Sequence, residues 1–159
     1  LNYWRFGDYL GIGAGAHGKA TVDGVVIRTE KPRSPREYLR GAGRNGAVRH
    51  PVAEAELPFE FMLNALRLPE GFTLTEFERS TGLPASVVLP KVTDFLARAL
   101  MSNLDERYRP TALGFRFLND LMAGFLPEEI ARRAPGELYT APSRFVPDRD
   151  FRRIVSEVP

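Results

Sequence analysis

A glycine-rich run close to the start of the chain is the first candidate for ligand chemistry. Residues 13–18 read Gly-Ala-Gly-Ala-His-Gly and fit the G-x-G-x-x-G pattern of turns that bind dinucleotides. Such a turn must open a helix, because the helix N-terminus holds the pyrophosphate. Residues 19–22 are Lys-Ala-Thr-Val and favour a strand instead. We therefore reject a dinucleotide site and expect these glycines to let the backbone pass close to a ligand or a packed neighbour.

Three side chains near this run have a structural interpretation when they are taken alone. The imidazole of His17 can carry a proton, but a lone histidine is more often a hydrogen-bonded structural residue. Tyr3 and Trp4 have large rings that would be core aromatics in most proteins. His50, in a polar stretch before Pro51, is predicted to lie on the surface. No serine lies in a nucleophile-elbow context and no spacing is typical of a metal site, so we predict no catalytic and no metal-binding residues.

Composition and charge narrow the class of protein. With 43% hydrophobic and 26% charged residues, the 159-residue chain is ordinary for a globular protein, and no apolar run is long enough to cross a bilayer. It shows no signal-peptide pattern, so we expect a cytoplasmic protein. The lack of cysteine excludes disulfides, thiol catalysis and cysteine-ligated metals within this sequence. Residues 1–50 carry nine Lys and Arg against four Asp and Glu, which suits an anionic ligand or simply a solvated surface.

The first fifty residues are predicted to form mainly strands. Residues 9–12 are a short apolar run bounded by glycine, as in a buried strand. Two β-branched runs flank Asp23-Gly24, a dipeptide that suits the type I′ turn of a hairpin. Ser34 and Pro35 then predict the start of a helix that ends near Gly41. A strand, a hairpin and one helix are therefore expected in this part of the chain.

Residues 51–126 are predicted to form a compact and mostly helical domain. Apolar spacing indicates a first helix from Ala53 to Leu66. Thr75 and Glu78 form a capping-box pattern for a second, short helix. An apolar stripe then predicts a third helix over residues 85–98.

The end of this domain is predicted to contain a β-ribbon and a final helix. Residues 104–109 are polar at alternate positions and flanked by turn residues, which favours the ribbon. Thr111 is the expected cap of the final helix. This order of elements is typical of a winged-helix domain. Residues 127–159 are rich in proline and charge, and we expect an extension of unknown role.

Two stretches of the sequence carry a resemblance to a known family. Residues 2–18 read Asn-Tyr-Trp-Arg-Phe-Gly-Asp-Tyr-Leu-Gly-Ile-Gly-Ala-Gly-Ala-His-Gly. This stretch resembles the segment that closes the barrel in the oxygen-independent coproporphyrinogen III oxidase-like family of radical-SAM proteins. The turn Leu66-Arg67-Leu68-Pro69-Glu70-Gly71 and the run Thr111-Ala112-Leu113-Gly114 resemble two elements of that family's C-terminal domain, so the resemblance covers residues 1–126.

The branch of that family with the closest resemblance is that of the heme chaperones. That branch carries a His-Asn-x-x-Tyr-Trp motif associated with heme binding. Residues 1–4, Leu-Asn-Tyr-Trp, match its last four positions, and the His and Asn would lie just before Leu1. We therefore expect the chain to be a C-terminal fragment of a longer protein.

The resemblance implies a fold and a site. The fold would be α+β, with a barrel-closing strand and a β-hairpin in residues 1–50, followed by a mostly helical, winged-helix-like C-terminal domain in residues 51–126. The loop before His17 would form a wall of the S-adenosylmethionine and porphyrin site, and His17 would carry a proton or ligate heme iron. The residues implied in cofactor or porphyrin binding are Tyr3, Trp4, Gly13, Ala14, Gly15 and His17.

The resemblance also implies cofactors and partners. The parent protein would hold a 4Fe-4S cluster, S-adenosylmethionine and heme, whereas this fragment would hold no cofactor, because the cluster needs three cysteines that are absent here. The partners would be an upstream radical-SAM barrel domain of the same protein and heme or porphyrin, without nucleic acid and without a transmembrane segment.

Three functions remain as alternatives at this point. The first is a heme chaperone that holds heme and passes it to an acceptor, which the Asn-Tyr-Trp and Gly-Ala-His residues favour. The second is oxidative decarboxylation of coproporphyrinogen III by a 5′-deoxyadenosyl radical. The third is a winged-helix DNA-binding module. Residues 51–159 carry thirteen Lys and Arg against sixteen Asp and Glu, and this acidic balance opposes binding to a phosphate backbone.

Overall fold

The computed structural model describes residues 2–41 and 46–131, and their fold is of the α+β class. These residues divide into two compact units. Residues 2–7 and 53–131 form one unit, which we call the helical unit. Residues 8–41 and 46–52 form the other, which we call the sheet unit. The expectations for residues 132–159, and for Leu1 in the Tyr-Trp motif, lie outside the described residues.

The sheet unit is a three-stranded antiparallel sheet with one helix. Its elements are β1 His17–Val22, β2 Val25–Glu30, α1 Pro35–Arg40 and β3 Val48–Pro51. The three strands are adjacent in the order β1, β2, β3, and Val22 faces Val25 across the first turn. The predicted hairpin is confirmed, since Asp23 and Gly24 both have positive φ (48° and 79°), as a type I′ turn requires. The predicted helix is also confirmed as α1, with proline in its first turn.

The buried strand predicted for residues 9–12 is wrong. Only Tyr9 pairs, through two backbone hydrogen bonds of 2.9 Å with Lys19, while Leu10 and Ile12 are 77% and 86% exposed. The physical reason is that Gly11 passes against the carbonyl of His17 and Gly13 takes a φ of 103°, so the chain turns away from the sheet. The described strands show no barrel closure.

The helical unit is built from short helices and one β-ribbon. The ribbon is predicted correctly, with Asp105 and Glu106 in its turn, although it begins three residues earlier than expected. The final helix is interrupted at Phe117, which stands between two short helices. The elements are α2 Leu57–Ala65, α3 Leu74–Thr81, α4 Leu89–Ala97, β4 Met101–Leu104, β5 Arg107–Pro110, α5 Ala112–Arg116, α6 Leu118–Ala123 and α7 Glu128–Ala131.

Four phenylalanines form the centre of the helical unit. The ring of Phe61 lies edge-on to Phe72 and Phe77, with centroids 5.5 and 5.3 Å apart. Phe6, from the start of the chain, is 4% exposed and packs on Phe61 at 5.7 Å. Since buried aromatic rings dominate core energetics, this contact fixes residues 2–7 to the helical unit.

The N-cap predicted for the second helix is wrong by two residues. Thr73, not Thr75, is the N-cap of α3, and its side chain accepts from the Glu76 amide at 3.1 Å while Glu76 accepts from the Thr73 amide at 2.8 Å. Both Thr-x-x-Glu pairs satisfy the capping-box pattern. The first pair is used because the preceding residue, Phe72, is held in extended pairing with Tyr108, so the helix begins directly after it. Glu78 instead accepts from the Ala85 amide.

Candidate functional site

Tyr3 and Trp4 lie in a tight turn on the helical unit. The Phe6 amide donates to the Tyr3 carbonyl at 3.2 Å, and the Gly7 amide donates to the Asn2 carbonyl at 2.9 Å. The Asn2 side chain lies against Gly7, where an added Cβ would displace it. The buried Phe6 anchors the turn, and the turn presents Tyr3 and Trp4 outward.

The two rings form a preorganised and accessible aromatic pair. Their centroids are 5.5 Å apart with the planes at 83°, an edge-to-face arrangement. Tyr3 is 39% exposed and Trp4 is 36% exposed. The guanidinium of Arg67 lies 5.7 Å from the Trp4 ring centroid, in the range of a cation–π contact. Because the two rings are nearly perpendicular, a flat, anionic ligand could stack on one of them, contact the other at its edge and meet the positive charge of Arg67.

Charged groups from three segments surround this turn. Arg5 pairs with Glu70 at 3.6 Å. Arg107 donates to the carbonyls of Glu70 and Gly71 (3.0 and 3.2 Å) and to the Glu76 carboxylate at 3.2 Å. Arg107 therefore ties the ribbon to the 70–71 turn and to the start of α3, and it stiffens the surface next to Trp4.

The remaining predicted site residues lie in the sheet unit. Gly13 and Gly15 have φ values of 103° and 70°, in a loop where the Gly15 amide donates to the Pro32 carbonyl at 2.8 Å. Ala14 is exposed in the same loop. His17 is exposed at the first position of β1, where it faces Glu30. The structure therefore brings Gly13, Ala14, Gly15 and His17 together in one unit, and Tyr3 and Trp4 in the other.

An ion pair between a buried lysine and a half-exposed aspartate supports the sheet unit, and sequence reasoning missed it. Lys19 is 3% exposed and donates to the Asp8 carboxylate at 2.8 Å. The Thr21 amide and hydroxyl also donate to Asp8, at 2.8 and 2.9 Å. Burial acts to raise the pKa of Asp8, but the lysine and these hydrogen bonds outweigh it and hold the pKa below its usual value. The only signal in the sequence was a lysine inside an apolar β-branched strand.

The chain's own residues do not fit a cysteine-ligated cluster, because the sequence contains no cysteine. In residues 2–41 and 46–131, no group of three or more His, Asp or Glu is placed to hold a metal ion. Within the same residues, no helix combines the length and the apolar character needed to cross a membrane.

Comparison with known proteins identifies one domain of this chain. Residues 52–117 match the family model described as the HemN C-terminal domain, which spans most of the helical unit. The chain therefore contains a domain of this family over residues 52–117.

Two relatives of this chain carry the name heme chaperone. The chain is 42% identical over 129 residues to "Heme chaperone HemW" of Escherichia coli (strain K12), which covers 80% of this chain and 34% of the relative. It is 41% identical over 130 residues to "Heme chaperone HemW" of Haemophilus influenzae, with 81% and 33% covered. The chain thus spans about a third of the length of these relatives. A solved structure of Escherichia coli coproporphyrinogen III oxidase (HemN) aligns with a TM-score of 0.48 at 13% identity, over 75% of this chain and 28% of that one.

Proposed function

We propose that this chain is the C-terminal part of a heme chaperone, and that Tyr3 and Trp4 contact the heme it holds. The observation that carries the proposal is the accessible Tyr3–Trp4 pair, anchored by Phe6 on the unit that contains the HemN C-terminal domain. Relatives that bear the name heme chaperone match about 80% of the length of this chain. The proposal places the protein in the cytoplasm.

The physical basis is an exposed aromatic pair that is already ordered. Aromatic side chains of this size are normally buried, and here Phe6 takes the buried position while Trp4 keeps a third of its surface open. Because the edge-to-face pair and Arg67 already fix the Trp4 ring, little conformational entropy is lost when a flat ligand stacks on it.

The proposal includes the rest of the parent protein. Residues 1–50 would complete a radical-SAM barrel whose upstream part supplies the cysteines for a 4Fe-4S cluster and binds S-adenosylmethionine. Residues 51–126 would be a winged-helix-like domain. Gly13, Ala14, Gly15 and His17 would bind a cofactor or heme, and heme would be the cargo that the protein holds.

Two alternative functions, nucleic-acid binding and oxidation of coproporphyrinogen III, have less support than heme binding. Nucleic-acid binding is opposed by the acidic balance of residues 51–159, which carry thirteen Lys and Arg against sixteen Asp and Glu. Oxidation of coproporphyrinogen III stays the main rival, since the family model is named for HemN. A catalytic assay therefore belongs in the same experiment as heme binding.

The test uses the full-length protein that carries this sequence, prepared without oxygen and with its cluster reconstituted. Heme is titrated by Soret absorbance, and coproporphyrinogen III with S-adenosylmethionine is assayed in parallel. We expect stoichiometric heme binding that weakens about tenfold in Trp4→Ala, about 1.4 kcal/mol. Phe117→Ala is the matched control, because Phe117 is another aromatic residue of the helical unit and is 46% exposed.

The outcomes separate the two functions. Heme affinity that is equal in Trp4→Ala and wild type would show that this pair is not the contact. Decarboxylated product would make the parent an oxidase. His17→Ala is measured beside them, and a lost axial-ligand signature in the heme spectrum would assign iron ligation to His17.

A further inference from the structure

A small cavity lies next to Trp4. Its volume is about 120 Å³, and its walls come from the N-terminal turn, α2, α3 and the ribbon, all within the helical unit. Drug-sized ligands occupy pockets of roughly 300–1,000 Å³, so a porphyrin ring does not fit. A group the size of a carboxylate does fit, because a volume of this kind needs only about 10–15 Å³ to hold one water. The lining includes Trp4, Arg5, Phe61, Arg79, Ser80 and Arg107.

The charges on the cavity wall do not cancel. Three arginines and two glutamates line it. Arg5 pairs with Glu70, and Arg107 pairs with Glu76. Arg79, in the last turn of α3, has no such partner among the described residues. The cavity therefore carries one uncompensated positive charge, with the Ser80 hydroxyl as a further hydrogen-bond donor on the same wall.

We propose that this cavity binds a carboxylate of the ligand whose ring lies on Trp4, with Arg79 as the principal donor. The inference rests on the proposed function, in which that ligand is heme and the group is one of its two carboxylates. A guanidinium is suited to this task because its planar fork of N–H groups matches two carboxylate oxygens. Ring recognition by Trp4 and carboxylate recognition by Arg79 would then fix the orientation of the heme.

The experiment compares heme with its dimethyl ester, in which both carboxylates are neutral esters. Each is titrated by Soret absorbance into the full-length protein and into Arg79→Gln. We expect Arg79→Gln to weaken heme binding about tenfold and to change ester binding by less than twofold, since only the free carboxylate needs the guanidinium. Arg116→Gln is the matched control, because Arg116 is an exposed arginine of the helical unit away from this cavity.

Failure of this inference differs from failure of the proposed function. Equal losses for heme and ester in Arg79→Gln, or no loss for either, would overturn the carboxylate site while heme binding stood. If the wild type bound neither, the proposed function would be wrong, and calorimetric titration with benzoate and with neutral benzamide would decide the cavity. Benzoate heat that disappears in Arg79→Gln supports the carboxylate site, and no benzoate binding in the wild type refutes it.

Discussion

Gly71→Ala is expected to be the most damaging small substitution near the proposed site. Gly71 has a φ of 65°, and a Cβ there would overlap the carbonyl oxygen of Tyr108. That carbonyl accepts from the Phe72 amide at 3.0 Å, and the Tyr108 amide donates back to the Phe72 carbonyl at 2.7 Å. Relieving the overlap would separate these two segments. The Arg107 contact with the Gly71 carbonyl would be strained by the same movement.

The magnitude follows from the two separate effects. Positive φ costs an alanine about 1 kcal/mol. Two lost backbone hydrogen bonds add about 1 kcal/mol each, so the free energy of unfolding should fall by about 3 kcal/mol. Gly82→Ala is the control, since Gly82 has a similar φ of 74° but no described atom within 4 Å of the added Cβ, and it should lose about 1 kcal/mol.

The assay is urea unfolding followed by circular dichroism, with hydrogen exchange over residues 70–73 and 107–110. Gly71→Ala should lose about 2 kcal/mol more than Gly82→Ala and should exchange faster at both segments. Equal losses for the two variants would refute the reasoning, because they would show that the close backbone approach contributes nothing beyond the φ effect.

Two further predictions concern the charged contacts. The folded pKa of Asp8 lies below its ordinary value of 3.8, so the contribution of Asp8 to stability is present above pH 3.8 and disappears as the pH falls through the folded pKa. In Asp8→Asn, this acid-dependent loss of stability should be missing. An unchanged pH dependence of unfolding would contradict the role of the ion pair with Lys19. Glu76→Ala should lose about 1–2 kcal/mol in thermal unfolding, since it removes both the carboxylate that accepts from the Thr73 amide and the Arg107 contact. Glu76→Gln keeps an acceptor for the Thr73 amide and should lose less than about 1 kcal/mol; equal losses would show that this half of the capping box is unimportant.

The sequence predicted those parts of the fold that local chemistry determines. Asp23-Gly24 requires positive φ at two successive residues, so the hairpin follows from the dipeptide alone. Pro35 and Thr111 begin helices for equally local reasons. The cap at Thr73 was missed because two overlapping motifs compete, and only the pairing of Phe72 with Tyr108 decides between them. That pairing spans 36 residues and leaves no local pattern.

The candidate site also depends on contacts between residues that are far apart in the sequence. Tyr3 and Trp4 were singled out from the sequence, but their neighbours Arg67 and Arg79 were not, because each lies more than sixty residues further along the chain. Spacing in the sequence gives no sign that these arginines meet the N-terminal turn. Nor does it show that residues 2–7 pack with the helices.

This assignment of the first residues matters for the proposed function. Phe6 is part of the phenylalanine cluster around Phe61, so Tyr3 and Trp4 are fixed to the helical unit with the HemN C-terminal domain. A ligand that binds only this ordered arrangement stabilises it by about 2.7 kcal/mol at a concentration one hundred times its Kd. That stabilisation would act on Phe61, and through it on Phe72 and the ribbon. Under the proposed function, bound heme would therefore stabilise the domain that it contacts, and release of heme would remove that stabilisation.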